Sequence, residues 1–191
     1  MKKVLAALLV IVLVLVAFIS SRPAKFHIER STSIAAAPEA VYGRIVNFHQ
    51  WAEWSPWEKL DPTMKKSFSG AESGTGAVYD WSGAGKVGQG RMTVTEAQPP
   101  SKVIIRLEFI KPFTATCVTT FDVVPEGSGS NVVWTMDGDN DFMSKAMGLF
   151  MNMDKSVGGD FERGLGQLKT VAESAPASPI TPDSTAAARP S

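Results

Sequence analysis

The chain is poor in the residues that most enzyme chemistry needs. It has a single cysteine, Cys117, so no internal disulfide can form and no CxxC pair exists to hold a metal or exchange electrons. Its two histidines, His27 and His49, cannot make a zinc site without added carboxylates, and neither stands in an HExxH frame. No serine sits in a GxSxG elbow, and Cys117 falls within a strand pattern, which argues against a nucleophilic enzyme. Net charge is missing too: 19 Lys and Arg balance 19 Asp and Glu. A nucleic-acid binder would carry a basic patch or a high pI, so no nucleic-acid partner is expected.

Apolar residues are plentiful, and one block of them is continuous. MKKVLAALLVIVLVLVAFISS starts with two lysines and is apolar across residues 4–19. That run makes about 24 Å of helix, at the short limit for crossing the hydrocarbon core. A cleaved signal shares the basic start, but its apolar run is usually about 7–15 residues and ends in a small-x-small site. Here Ile19 and Ser21 make a poor site, and Arg22-Pro23 follow. Residues 1–23 therefore read as a single-pass anchor in the inner (cytoplasmic) membrane, which the chain meets through residues 4–19. The alternatives are a cleaved signal, leaving the domain secreted or periplasmic, and a buried N-terminal helix. Lys2 and Lys3 nearly balance Arg22, Lys25 and Arg30, so the positive-inside rule barely discriminates; the orientation adopted leaves the domain on the extracytoplasmic side. At the other end, residues 174–191 carry four prolines and few large apolar side chains, and read as a disordered tail. The folded domain is then 24–173.

Within it, FHIERSTSI (26–34) alternates as a strand does. Pro38 opens a helix with Val41, Ile45 and Phe48 on one side, and HQWAEW adds a second short one that Pro56 stops. MKKSFSG, GAVYDWSG, GQGRMTVTEA, SKVIIRLEFI, ATCVTTFDVV and NVVWTMDG then read as six strands of an antiparallel meander. After Asp141, the residues Met143, Met147, Phe150, Met151, Val157, Phe161, Leu165 and Leu168 recur at helical steps, with a bend expected at Gly158-Gly159. The class is α+β: one sheet around one long helix, with a cleft between them.

Four stretches carry a resemblance: the N-x-x-x-W-x-x-W-S-P-W run at residues 47–57, GTGAVYDWSG, VGQGRMTVTEAQPP and GGDFERGLGQLK. With the order of elements, they are similar to membrane-anchored bacterial proteins of the polyketide cyclase/dehydrase type, within the START-like (SRPBCC) superfamily. The resemblance spans residues 26–173. It implies the helix-grip fold, a curved antiparallel sheet of about seven strands wrapped around a long C-terminal helix, with two short helices after the first strand. It also implies an apolar internal cavity for a small hydrophobic ligand such as a lipid, sterol or polyketide-like molecule. Fold alone does not fix function.

Gly83-x-Gly85-x-x-Gly88 matches a dinucleotide fingerprint, but a strand pattern follows where that site needs a helix, so the glycines read as hairpin or bulge formers. Asp137, Asp139 and Asp141 are spaced as a calcium loop begins, yet Phe142 and Gly148 occupy the positions that want glycine and glutamate. No cofactor and no metal are expected. Glu53 and His49 are the candidates for proton transfer, while Glu53, Asp80 and Glu108 read first as solvent-exposed. The candidate ligand-binding set is Trp54, Trp57, Trp81, Met92, Phe109, Phe113, Trp134, Met136, Met147, Phe150 and Met151. For the tryptophans of WAEWSPW three roles are open: a plug in the end of the sheet, a frame around its mouth, or contact with the membrane interface. The leading functional reading is a membrane-tethered binding or carrier protein. A cyclase/dehydratase-like enzyme and an accessory stress-related protein without a ligand are the alternatives.

Overall fold

The computed structural model describes residues 1–85, 87–150 and 152–174. Expectations for Met151 and for the tail from residue 175 onward lie outside the described residues. The apolar N-terminal run forms α1 (Lys2–Ser20), exposed along almost its whole length, with Ile19 the only buried residue in it. It is long and apolar enough to cross a membrane.

The alternating segment becomes β1 (Lys25–Ile34), and Pro38 stands at the first turn of α2 (Pro38–Val46), where its missing N–H costs nothing. A 3-10 turn (Phe48–Gln50) leads into α3 (Trp51–Trp54). Six strands follow: β2 (Lys65–Gly70), β3 (Ala77–Ser82), β4 (Gln89–Gln98), β5 (Lys102–Lys111), β6 (Ala115–Glu126) and β7 (Gly129–Asp139). With β1 they make one antiparallel sheet in the order β1-β7-β6-β5-β4-β3-β2, the expected meander closed by β1 returning beside β7. Ile105, Leu107, Phe121, Val132, Trp134 and Ile28 share its inner, buried face.

The C-terminal helical pattern is two helices, α4 (Phe142–Met147) and α5 (Met153–Ser174). α4 ends at Met147 and α5 begins at Met153, and α5 runs unbroken through Gly158-Gly159, where the sequence led us to expect a bend. These glycines have another use. A Cβ at Gly158 would lie 2.1 Å from the Arg30 guanidinium, which crosses the helix there and bonds Asp154 (3.1 Å) and Glu162 (2.7 Å). At Gly164 a Cβ would lie 2.9 Å from the Trp134 ring and 3.0 Å from Pro56. Small residues at these points let α5 lie close against β1, α2 and α3.

Why W-x-x-W follows α2 is now a matter of hydrogen bonds. A helix leaves its last carbonyls without partners. The indole N–H of Trp51 donates to Ile45 O (2.8 Å), and that of Trp54 to Arg44 O (3.1 Å). Two rings too large to leave in water thereby cap α2 and satisfy their own donors.

Candidate functional site

Two groups of aromatic rings lie on the inner face of the sheet. The first sits under α5. Trp134 stacks on Phe161 with centroids 4.0 Å apart, Phe121 lies 4.6 Å from Trp134, and Trp54 meets Trp134 edge-on at 5.8 Å. Trp51, Trp54, Phe121, Trp134 and Phe161 are each at most 2% exposed. Trp134 donates to Thr119 Oγ1 (2.7 Å), which in turn donates to Thr135 O (2.7 Å). The space between sheet and helix is here filled with protein. Trp57, half-buried, covers the cluster by edge contacts with Trp134 (5.7 Å) and Phe161 (6.3 Å).

The second group runs across β2 to β5, the half of the sheet away from α5. Phe68 stacks on Tyr79 (5.0 Å), Tyr79 neighbours Trp81 (6.2 Å), and Trp81 meets Phe109 edge-on (6.0 Å). Phe68 is 39% exposed and Phe109 36%, so this strip is half open. Gly90 makes it possible: a Cβ there would lie 2.3 Å from the Trp81 ring, so only glycine lets the indole lie down on β4. The Trp81 N–H donates to Val87 O (3.1 Å). Phe48 joins the two groups, touching both Trp51 (5.3 Å) and Tyr79 (6.0 Å).

A polar cluster borders the strip. The Glu58 carboxylate, 7% exposed, accepts a hydrogen bond from the Tyr79 hydroxyl (2.7 Å) and pairs with the Lys66 ammonium. Burial, and then the bond to Glu58, push the Tyr79 hydroxyl well above its usual range, so it stays protonated and donates. Glu58 was not among the sequence candidates. Its only sequence signal is that it directly follows Trp57 at the end of the tryptophan run.

The candidates separate as follows. Trp54 and Trp134 belong to the sealed cluster, and Met136 is buried on β7 two residues from Trp134; Met92 is buried on β4, opposite Tyr79 of the strip. Trp81 and Phe109 belong to the strip. Phe113, in the β5–β6 turn, is 62% exposed. Met147 and Phe150 lie on the outer surface, because α4 packs against α1 rather than under the sheet. Glu53 is exposed and pairs with Arg44 (2.5 Å); His49 is exposed with its ring 4.1 Å from that of Phe68. Asp80 pairs with Arg91 (2.7 Å) and Glu108 with Arg106 (3.1 Å). Burial pushes the Cys117 thiol up to about 11, which leaves it unreactive at neutral pH. The Gly83–Gly88 loop joins β3 to β4, with Gly85 and Gly88 at positive φ. Asp137 bonds His27, and Asp141 caps α4. Among the described residues no group of three His, Cys, Asp or Glu is placed to hold a metal ion.

The family model for "Polyketide cyclase / dehydrase and lipid transport" matches residues 25–173. The chain belongs to that family. Solved structures with the same fold include protein CV1439 from Chromobacterium violaceum, 15% identical, with 78% of this chain and 98% of that one covered at a TM-score of 0.58. The di-domain ARO/CYC BexL of the BE-7585A biosynthetic pathway is 15% identical over 84% of this chain and 54% of its own, at 0.57. Ara h 8.0201 is 10% identical over 79% and 99%, also at 0.57. No curated protein matches the chain. Membership in the polyketide cyclase/dehydrase and lipid transport family is consistent with binding a small hydrophobic ligand.

Proposed function

We propose that the chain is a membrane-tethered binding or carrier protein for a small hydrophobic molecule of lipid, sterol or polyketide-like kind. Residues 24–173 are its ligand-binding domain, and α1 holds it in the inner membrane with the domain on the extracytoplasmic side. The observation that carries this reading is the aromatic strip on the inner face of the sheet beyond α5, in which Phe68 and Phe109 stand open to solvent and Trp81 is half-buried beside the buried Tyr79. The ligand lies along this strip, while the tryptophans under α5 act as a plug. A carrier beside the bilayer also meets lipophilic ligands at high local concentration.

Titrating the full-length chain, in a non-quenching detergent, with a brominated fatty acid tests this. Intrinsic tryptophan fluorescence is expected to quench to saturation, and Trp81→Ala with Phe109→Ala to weaken binding about tenfold, the effect of losing apolar contact worth some 1–2 kcal/mol. No saturable quenching by fatty acids, sterols or polycyclic aromatics would leave the accessory reading in its place.

One observation favours a second reading. Glu58 is a buried carboxylate within hydrogen-bond reach of a phenol and an ammonium at the edge of the strip, the type of group a cyclase or dehydratase uses for proton transfer. Under that reading Glu58→Gln keeps binding and abolishes turnover of a polyketide-like substrate.

A further inference from the structure

The end of the sheet where β1 begins and β7 finishes is also where α1 stops, and a cleft of about 510 Å³ opens there. That is room enough for a polar headgroup and the first carbons of its chains. Arg22, Lys25 and Lys145 line it together with Phe26, Leu149 and Phe150. Among the described residues around it no carboxylate contributes to the lining, and none of the three cations is in an ion pair. Lys145 ties the cleft to the end of α1, its ammonium donating to Ser20 O (3.4 Å), and Asn140 donates to Pro23 O (3.3 Å).

The surroundings are apolar and uncovered. Phe150 is 89% exposed, Met143 56% and Phe142 50%. Phe113 and Ile110 project from the β5–β6 end of the sheet, which antiparallel pairing with β7 brings to the same side. In water such a collection is costly. At a bilayer surface it is not, because aromatic and basic side chains favour the headgroup layer.

We propose that this cleft holds the headgroup of an anionic phospholipid, with the phosphate among Arg22, Lys25 and Lys145 and the acyl chains leaving past Leu149 and Phe150 along α1. The proposal rests on the reading of α1 as a membrane anchor. A crossing helix that ends at Ser20 puts Arg22 and Lys25 at the depth of the phosphates, since the headgroup layer begins within a few ångströms of the hydrocarbon core. The cleft is separate from the aromatic strip. It seats the domain on the membrane and turns its open end toward the lipid, where a carrier would load.

The test uses the full-length chain in detergent micelles, with phosphatidylglycerol or phosphatidylcholine of identical acyl chains added, and counts retained lipid by native mass spectrometry. Phosphatidylglycerol is expected to be retained preferentially. Replacing Arg22, Lys25 and Lys145 together by Gln is expected to cut retention about a hundredfold, roughly fivefold per charge. The charge-keeping set Arg22→Lys, Lys25→Arg and Lys145→Arg restores it, which separates lost charge from lost fold. Equal retention of the two lipids, an unaffected Gln variant, or displacement by inorganic phosphate as readily as by lipid would each overturn the proposal. Alkaline carbonate treatment of membranes carrying the chain separates the two readings. Release of the chain removes the anchor and this proposal with it, whereas a chain that stays bound but shows no anionic preference removes this proposal alone.

Discussion

The two aromatic groups inside the curve of the sheet are both built on rings from its strands, yet they differ in what covers them: helix rings, Phe161 of α5 and Trp54 of α3, close over the first and not over the second. Under α5, Trp134, Phe161, Phe121 and Trp54 are sealed and contact one another on several sides. Across β2 to β5, Phe68, Tyr79, Trp81 and Phe109 form a single row whose two ends, Phe68 and Phe109, are open to solvent while Tyr79 is buried. The lesson is that an aromatic ring becomes core or contact surface according to where the helix lands. Here Arg30 crossing Gly158 and the Trp134–Gly164–Pro56 contact fix α5 over the β1 edge.

If this division is right, substitutions on the two sides separate stability from binding. Trp134→Ala should have the largest effect, about 3–5 kcal/mol by denaturant unfolding, because the cavity would be walled by rigid rings. Gly164→Ala should cost about 1–3 kcal/mol, since neither the Trp134 ring nor Pro56 can retreat from the added methyl. Trp54→Phe keeps most of the ring but removes the donor to Arg44 O, and a loss of about 1 kcal/mol is expected. On the open side, Phe109→Ala should change stability by no more than about 1 kcal/mol while weakening ligand binding; equal destabilisation by Phe109→Ala and Trp134→Ala would erase the distinction.

The smallest expected effect lies at the β1–β7 edge. The hydrogen bond that the His27 Nδ1–H donates to Asp137 Oδ1 (2.7 Å) raises the His27 pKa above the usual value of about 6.5. A raised value means that the protonated form is favoured in the fold. Its contribution is therefore fully present below the unfolded pKa and is lost as pH rises through the folded one. An NMR titration of His27 should give a midpoint above 6.5, and Asp137→Asn should lower it. Since both side chains are more than half exposed, the gain in stability is small.

Much of the fold was legible in the sequence because its signals are local. Alternation in segments such as SKVIIRLEFI, glycine-rich turns, Pro38 and Pro56 each mark an element by themselves. The division into α4 and α5 was hidden because the apolar helical spacing of the sequence continues past the end of α4 through Leu149 and Phe150. Gly158 misled for the opposite reason: a glycine that admits a guanidinium looks, in one dimension, like a glycine that bends a helix. The candidate site was less legible. Strand alternation places Trp81, Met92, Phe109 and Trp134 on one face, but it carries no information about which of them α5 covers. Glu58 was hidden because its partners Tyr79 and Lys66 come from β3 and β2, and their meeting depends on strand register.

The most direct test of the division between plug and binding surface is a fluorine NMR spectrum of the full-length chain labelled with 5-fluorotryptophan, whose five resonances are assigned by single Trp→Phe substitutions. On adding a bound fatty acid, the Trp81 resonance should move while those of Trp51, Trp54 and Trp134 stay in place. Movement of Trp54 and Trp134 with Trp81 unchanged would put the ligand under α5 and contradict the account.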